Sequence, residues 1–215
     1  MLGYYNPSVI LTYLSLVFAS FGFSALLREE ANVFAALVCL MLSGLCDMFD
    51  GAVARRCRRN EEEKLFGIQI DSLCDLVAFG ALPACTVLVL SEVNFLSRIA
   101  AALLLLSSVI RLGYFNVQET LRDRSERREG YLGLPVTMTA ILLPLLLLAG
   151  TAFSLSLEWY APCCLFLIAA LEVWRSPLKK PHGKEKMLVL FFGIVLFAIL
   201  SFLGRRFFEA EDGSF

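Results

Sequence analysis

Charge is scarce in this sequence. Only 18% of its 215 residues are Asp, Glu, Lys or Arg, against 58% hydrophobic. A soluble domain of this length cannot hide so much apolar surface in one core. Histidine is almost missing, with one copy at position 182, and the seven cysteines (39, 46, 57, 74, 85, 163 and 164) have no CxxC spacing. That pattern argues against a zinc site and a disulfide framework, and the cysteines read as small buried hydrophobes. The 19 basic and 20 acidic residues nearly cancel, which says little, because the location of charge matters more than its sum; no nucleic-acid partner is expected. Residues 1–8 lack the basic start and small-residue cleavage site of a signal peptide, so the first apolar segment is expected to stay in the mature chain.

What the sequence does have is long uncharged runs. Residues 187–203, "MLVLFFGIVLFAILSFL", carry no charge, and several other runs approach the ~20 residues of a spanning helix. The expected fold is an all-α polytopic membrane protein, a bundle of six to seven transmembrane helices. The spans fall at roughly 8–27, 32–55, 65–90, 95–115, 133–151, 158–174 and 187–204. Linkers 55–64, 116–131 and 174–186 carry five, four and five Lys/Arg, whereas 28–31 and 91–98 carry one each and 152–157 none. The alternation predicts that the basic linkers and the N-terminus face the cytoplasm. If 187–204 does not cross, the C-terminus stays inside too. The longest linker is about sixteen residues, so residues 1–215 read as a single membrane domain. The lysines near 180 and the arginines of 116–131 read as topology determinants, and Glu61–Glu63 as a solvated turn.

Four aspartates interrupt the oil. Asp47, Asp50, Gly51, Ala54 and Arg55 stand at i, i+3, i+4, i+7 and i+8, one face of one helix. Gly67, Asp71 and Asp75 stand at i, i+4 and i+8 on the next span. Facing each other near the cytoplasmic side, these carboxylates repel unless a cation intervenes, and each costs up to ~3 kcal/mol at the bilayer centre. Oxygen-only ligands suit Mg²⁺, Mn²⁺ or Ca²⁺. Small residues beside them leave room for a bulky ligand, and Arg55 suits a phosphate. The stripes therefore read as metal plus phosphate; the bland alternative is helix packing with paired or snorkelling aspartates.

The stretch "DMFDGAVAR…GIQIDSLCD" resembles the D-x2-D-G-x2-A-R…G-x3-D-x3-D signature of the CDP-alcohol phosphotransferases. All eight positions are present: Asp47, Asp50, Gly51, Ala54, Arg55, Gly67, Asp71 and Asp75. Eleven residues separate Arg55 from Gly67, more than is usual. The resemblance implies a membrane enzyme that moves a phosphatidyl or similar group from a CDP-linked donor to an alcohol. It implies Mg²⁺ or Mn²⁺ on Asp47, Asp50, Asp71 and Asp75, with Asp75 also the catalytic base. It implies Gly51, Ala54, Arg55 and Gly67 around the CDP phosphates, and a homodimer. "FGIQIDSLCDLVAFGALPA", "RLGYFNV" and "GLPVT" are similar to the phosphatidylserine synthase branch, which implies CDP-diacylglycerol and L-serine as substrates within a bacterial cell membrane.

Arg111 is the lone basic residue deep in the fourth span, and a buried arginine requires an anion. A lipid phosphate, the serine carboxylate and a structural pair with an aspartate all satisfy it. Asn116 either orients a small zwitterion or caps its helix. Gly133 and Pro135 shape the start of span five. The rivals are a relative that accepts glycerol 3-phosphate or an inositol phosphate, a divalent-cation transporter, and a catalytically dead scaffold.

Overall fold

The structure, a computed structural model, describes residues 3–4, 6–121, 130–175, 177–179, 184–200 and 202. After a single 3₁₀ turn at Pro7–Val9, the helices are α1 (Ile10–Leu26), α2 (Val33–Ala54), α3 (Glu61–Asp75), α4 (Leu82–Leu90), α5 (Phe95–Leu121), α6 (Thr139–Ala152), α7 (Leu157–Val173) and α8 (Lys184–Ile199). A π-helical segment, Leu76–Ala81, joins α3 to α4 into one rod of 30 residues. Pro7–Leu26, Val33–Ala54, Glu61–Leu90 and Phe95–Leu121 are long and apolar enough to cross a membrane; Val136–Ala152 is a shorter apolar helix. The architecture is the expected polytopic helical bundle, with the rod counting as one span. The fully buried side chains Leu37, Leu40, Phe79, Leu82, Leu104 and Leu143 form its centre, drawn from α2, the rod, α5 and α6. Large apolar residues such as Phe21, Leu106 and Ile110 point outward, as lipid contact requires.

Local chemistry sets the helix ends. Asn32 caps α2 by accepting from the Ala35 amide at 2.7 Å. Asn60 and Glu63 form a reciprocal capping box at the start of α3, the arrangement that satisfies two orphan amides at once. Glu61–Glu63, expected as a solvated turn, are therefore the first turn of α3, where negative charge meets the positive end of the helix dipole. The fourth span also runs on to Leu121, so Asn116 is inside a helix rather than capping one. At the π segment the Leu82 amide bonds back to the Val77 carbonyl, and Pro83 follows, a residue with no amide proton to give.

Contacts between loops assign them to two ends. Tyr4 donates to Glu62 at 2.7 Å, and the Asn6 side-chain amide donates to the Arg58 carbonyl at 3.0 Å and to Glu63 at 3.2 Å. The start of the chain is thus strapped over the α2–α3 loop; the bond to Glu62, chiefly, raises the Tyr4 phenol above its ordinary pKa. At the opposite end, Asn94 donates to the Glu158 carbonyl at 3.3 Å, placing the α4–α5 loop beside the α6–α7 loop. Gly130–Leu132 (β1) pairs antiparallel with Pro177–Lys179 (β2), joining the α5–α6 and α7–α8 linkers in a ribbon that the sequence reading had treated as plain linker. Most basic residues of those two linkers, His182 and the tail beyond Phe202 lie outside the described residues.

Candidate active site

The acid cluster is made by side chains of α2 and α3. Asp47 and Asp50 lie in the last two turns of α2, about 10 and 6 Å along the axis from its end at Ala54. Asp71 and Asp75 lie in the last two turns of α3. Oxygens of Asp47, Asp71 and Asp75 all stand within 4.8 Å of one another. Asp50 is beside Asp71 and is steadied by Thr12 of α1, whose hydroxyl donates to its Oδ2 at 3.4 Å.

Asp75 is the deepest of the four, buried at 8% exposure. Among the described residues no hydroxyl, amide or cation hydrogen-bonds its carboxylate. A buried carboxylate ringed by other carboxylates is stable only when protonated or when a cation sits beside it. Three converging oxygens, with no nitrogen or sulfur donor among them, fit a hard divalent cation that completes its shell with other oxygens. The donor set therefore fits the metal that the sequence motif implies.

Small residues keep this face open. A Cβ added at Gly51 would meet the Arg55 Nη1 at 3.5 Å, and one at Gly67 would meet the Arg59 Nη1 at 3.6 Å. Arg55 and Arg59 so lie across the two glycines, at the loop end of the acid cluster. Ala54 closes α2 next to Arg55. Arg55 is exposed.

Arg111 faces inward. Its Nη1 donates to the Glu172 carbonyl at 3.0 Å and its Nη2 to the Gly133 carbonyl at 3.1 Å, and its charge also acts on the Glu172 carboxylate. Glu172 is 2% exposed and accepts from Ser107 at 2.7 Å, Ser108 at 3.0 Å and Thr139 at 3.5 Å. This knot ties α5, α6 and α7 together. In the sequence Glu172 is simply the second acid of α7, next to its last residue. Asn116 accepts from Ser72 at 2.7 Å, and its amide reaches Gln69 at 3.4 Å; Ser72 directly follows Asp71.

Several known proteins are similar to this chain in sequence. Archaetidylserine synthase of Methanothermobacter thermautotrophicus is 31% identical over 147 residues, covering 66% of this chain and 59% of that protein. A CDP-diacylglycerol–serine O-phosphatidyltransferase of Helicobacter pylori is 28% identical over 171 residues, 76% of this chain and 68% of its own length. The protein of that name in Saccharomyces cerevisiae is 34% identical over 106 residues, 47% and 37% of the two chains. The sequence profile headed CDP-alcohol phosphatidyltransferase matches residues 5–174, a stretch that holds α1 to α7 and all four aspartates. This chain belongs to the CDP-alcohol phosphatidyltransferase family.

Proposed function

We propose that this protein transfers a phosphatidyl group from CDP-diacylglycerol to the hydroxyl of L-serine and releases CMP. The observation that supports the reading is the convergence of Asp47, Asp71 and Asp75 from two helices, with carboxylate oxygens within 4.8 Å of one another. The names of the relatives supply the serine acceptor, and family membership sets cation transport aside.

In this reading Asp47, Asp50, Asp71 and Asp75 would hold Mg²⁺ or Mn²⁺, which when bound would supply positive charge to polarise the diphosphate and stabilise the departing CMP. Arg55, with Gly51, Ala54 and Gly67 leaving room, takes the phosphates of the nucleotide end. Asp75 accepts the proton of the serine hydroxyl. The oxygen then forms a bond to the lipid-linked phosphorus while the bond to the CMP oxygen breaks. Asn116 with Ser72 orients the amino acid, and Arg111 holds the fold together instead of contacting substrate. With that arginine engaged by carbonyls, the buried interior has less to offer a phosphorylated acceptor, which favours serine over glycerol 3-phosphate or an inositol phosphate. The enzyme works as a homodimer in the cell membrane of a bacterium, with the acid cluster on the cytoplasmic side.

The test is CMP release by purified protein with Mn²⁺ or Mg²⁺, offering L-serine, glycerol 3-phosphate and inositol phosphate separately. Release with serine alone is expected. Release only with another acceptor would overturn the serine assignment and keep the chemistry. No release with any acceptor, using either the diacyl donor or its ether-lipid counterpart, would overturn both. Crosslinking in membranes reads the dimer.

A further inference from the structure

The contact between α2 and the start of α6 has a fixed register. A Cβ added at Gly44 would stand 2.7 Å from the Ala140 Cβ, so here the two segments touch almost backbone to backbone. One turn further along α2 is Asp47, and three residues back from Ala140 is Thr137, in the 3₁₀ turn Val136–Met138 that precedes α6. The turn that holds Thr137 packs on α2, and its side chain stands beside the Asp47 carboxylate. Gly44 with Ala140 and Asp47 with Thr137 are therefore successive rungs of one antiparallel contact.

The segment that carries Thr137 is tied down on both sides. Before it, Arg111 bonds the Gly133 carbonyl at 3.1 Å, and the Leu134 amide bonds the Leu171 carbonyl at 3.1 Å. After it, Thr139 reaches the buried Glu172. Gly133 itself has φ of +75°, and a Cβ there would meet the Glu172 and Trp174 carbonyls and the Arg111 guanidinium, each at 2.8 Å. Thr137 is consequently presented to Asp47 by a segment anchored on both sides.

We propose that Thr137 is a positioning residue for the metal site: its hydroxyl orients the Asp47 carboxylate, and the Arg111–Glu172 knot fixes the segment that presents it. The inference rests on the reading of the acid cluster as a metal site. A ligating carboxylate hydrogen-bonded from outside keeps one oxygen aimed inward, and loss of such a partner weakens metal binding by ~10-fold or more.

The measurement is Mn²⁺ binding to detergent-solubilised protein, without substrates, followed by the paramagnetic signal of the free ion. Thr137→Val keeps the shape and removes the hydroxyl; Thr137→Ser keeps the hydroxyl. The expected result is Mn²⁺ affinity weakened ~10-fold in Thr137→Val and close to the parent in Thr137→Ser, with metal-free melting temperatures that agree. If Thr137→Val cannot be isolated folded, Thr137→Ala carries the same comparison. Parent-like affinity in the variant lacking the hydroxyl, or equal weakening in Thr137→Ser, overturns the inference and leaves the metal reading standing. A parent protein that binds no Mn²⁺ overturns the metal reading, and the inference with it.

Discussion

Asp75 combines two properties that set it apart from the other three aspartates. It is the most buried, and it stands one helical turn beyond Asp71, on the side of the cluster away from the loop arginines. Replacing it by Asn keeps the volume and removes the base, so CMP release is expected to fall by ~10²–10⁴-fold in protein that still purifies intact. Near-parent turnover would take the proton-accepting role away from Asp75. Gly133 is a second residue with little freedom. Its left-handed φ and the three atoms 2.8 Å from a would-be Cβ, two of them backbone oxygens, leave alanine no place to go. Gly133→Ala should cost on the order of 1–3 kcal/mol, read as a lower melting temperature; an unchanged melting curve would show that the turn relaxes. At this scale the aspartates were legible because i, i+4 spacing along one helix is written in the sequence. Glu172 was not, because its partners Ser107, Ser108 and Thr139 arrive from helices 33 to 65 positions away, and no local pattern announces them.

Among the elements, the rod from Glu61 to Leu90 matters most, since it carries two of the four acids. Its start is set by the Asn60–Glu63 capping box, with Asn6 bonded to the same glutamate. Asn60→Ala removes one half of the box and should destabilise the protein by ~1 kcal/mol, with a matching small fall in melting temperature. A loss near zero would mean that the Asn6 strap alone holds the helix start. Hydropathy located this span correctly but began it near residue 65, because the three glutamates look like a loop when only apolarity is counted. The cap signal, Asn followed three residues later by Glu, was present in "NEEE" and marks the true start. The π segment after Asp75 left no comparable trace. Pro83 announces an irregularity in the amide ladder, but not whether the chain meets it by a kink or by a wider turn.

For the whole molecule, the decisive question is which end of the bundle faces which compartment. The structure sorts the loops into two sets by contact. One end holds the N-terminal strap and the α2–α3 loop, with Arg55, Arg56, Arg58 and Arg59 between residues 55 and 59. The other holds the α4–α5 and α6–α7 loops, where residues 91–94 and 153–156 contain no Lys or Arg. Lys and Arg close to the ends of spans are retained on the cytoplasmic side, so the arginine-rich end, and with it the acid cluster, is expected inside. This orientation is an expectation from hydropathy and linker charge, both sums along the chain that need no knowledge of packing. Cys57 lies in the arginine-rich loop, half-buried and unpaired to any cysteine, and Ser154→Cys would report on the opposite end. A membrane-impermeant maleimide applied to intact cells should label the Ser154→Cys site and spare Cys57, which should react only after the membrane is opened. The reverse pattern would place the acid cluster outside, away from the cytoplasmic supply of a nucleotide-linked donor, and would remove the physiological basis of the proposed reaction while leaving the metal geometry untouched.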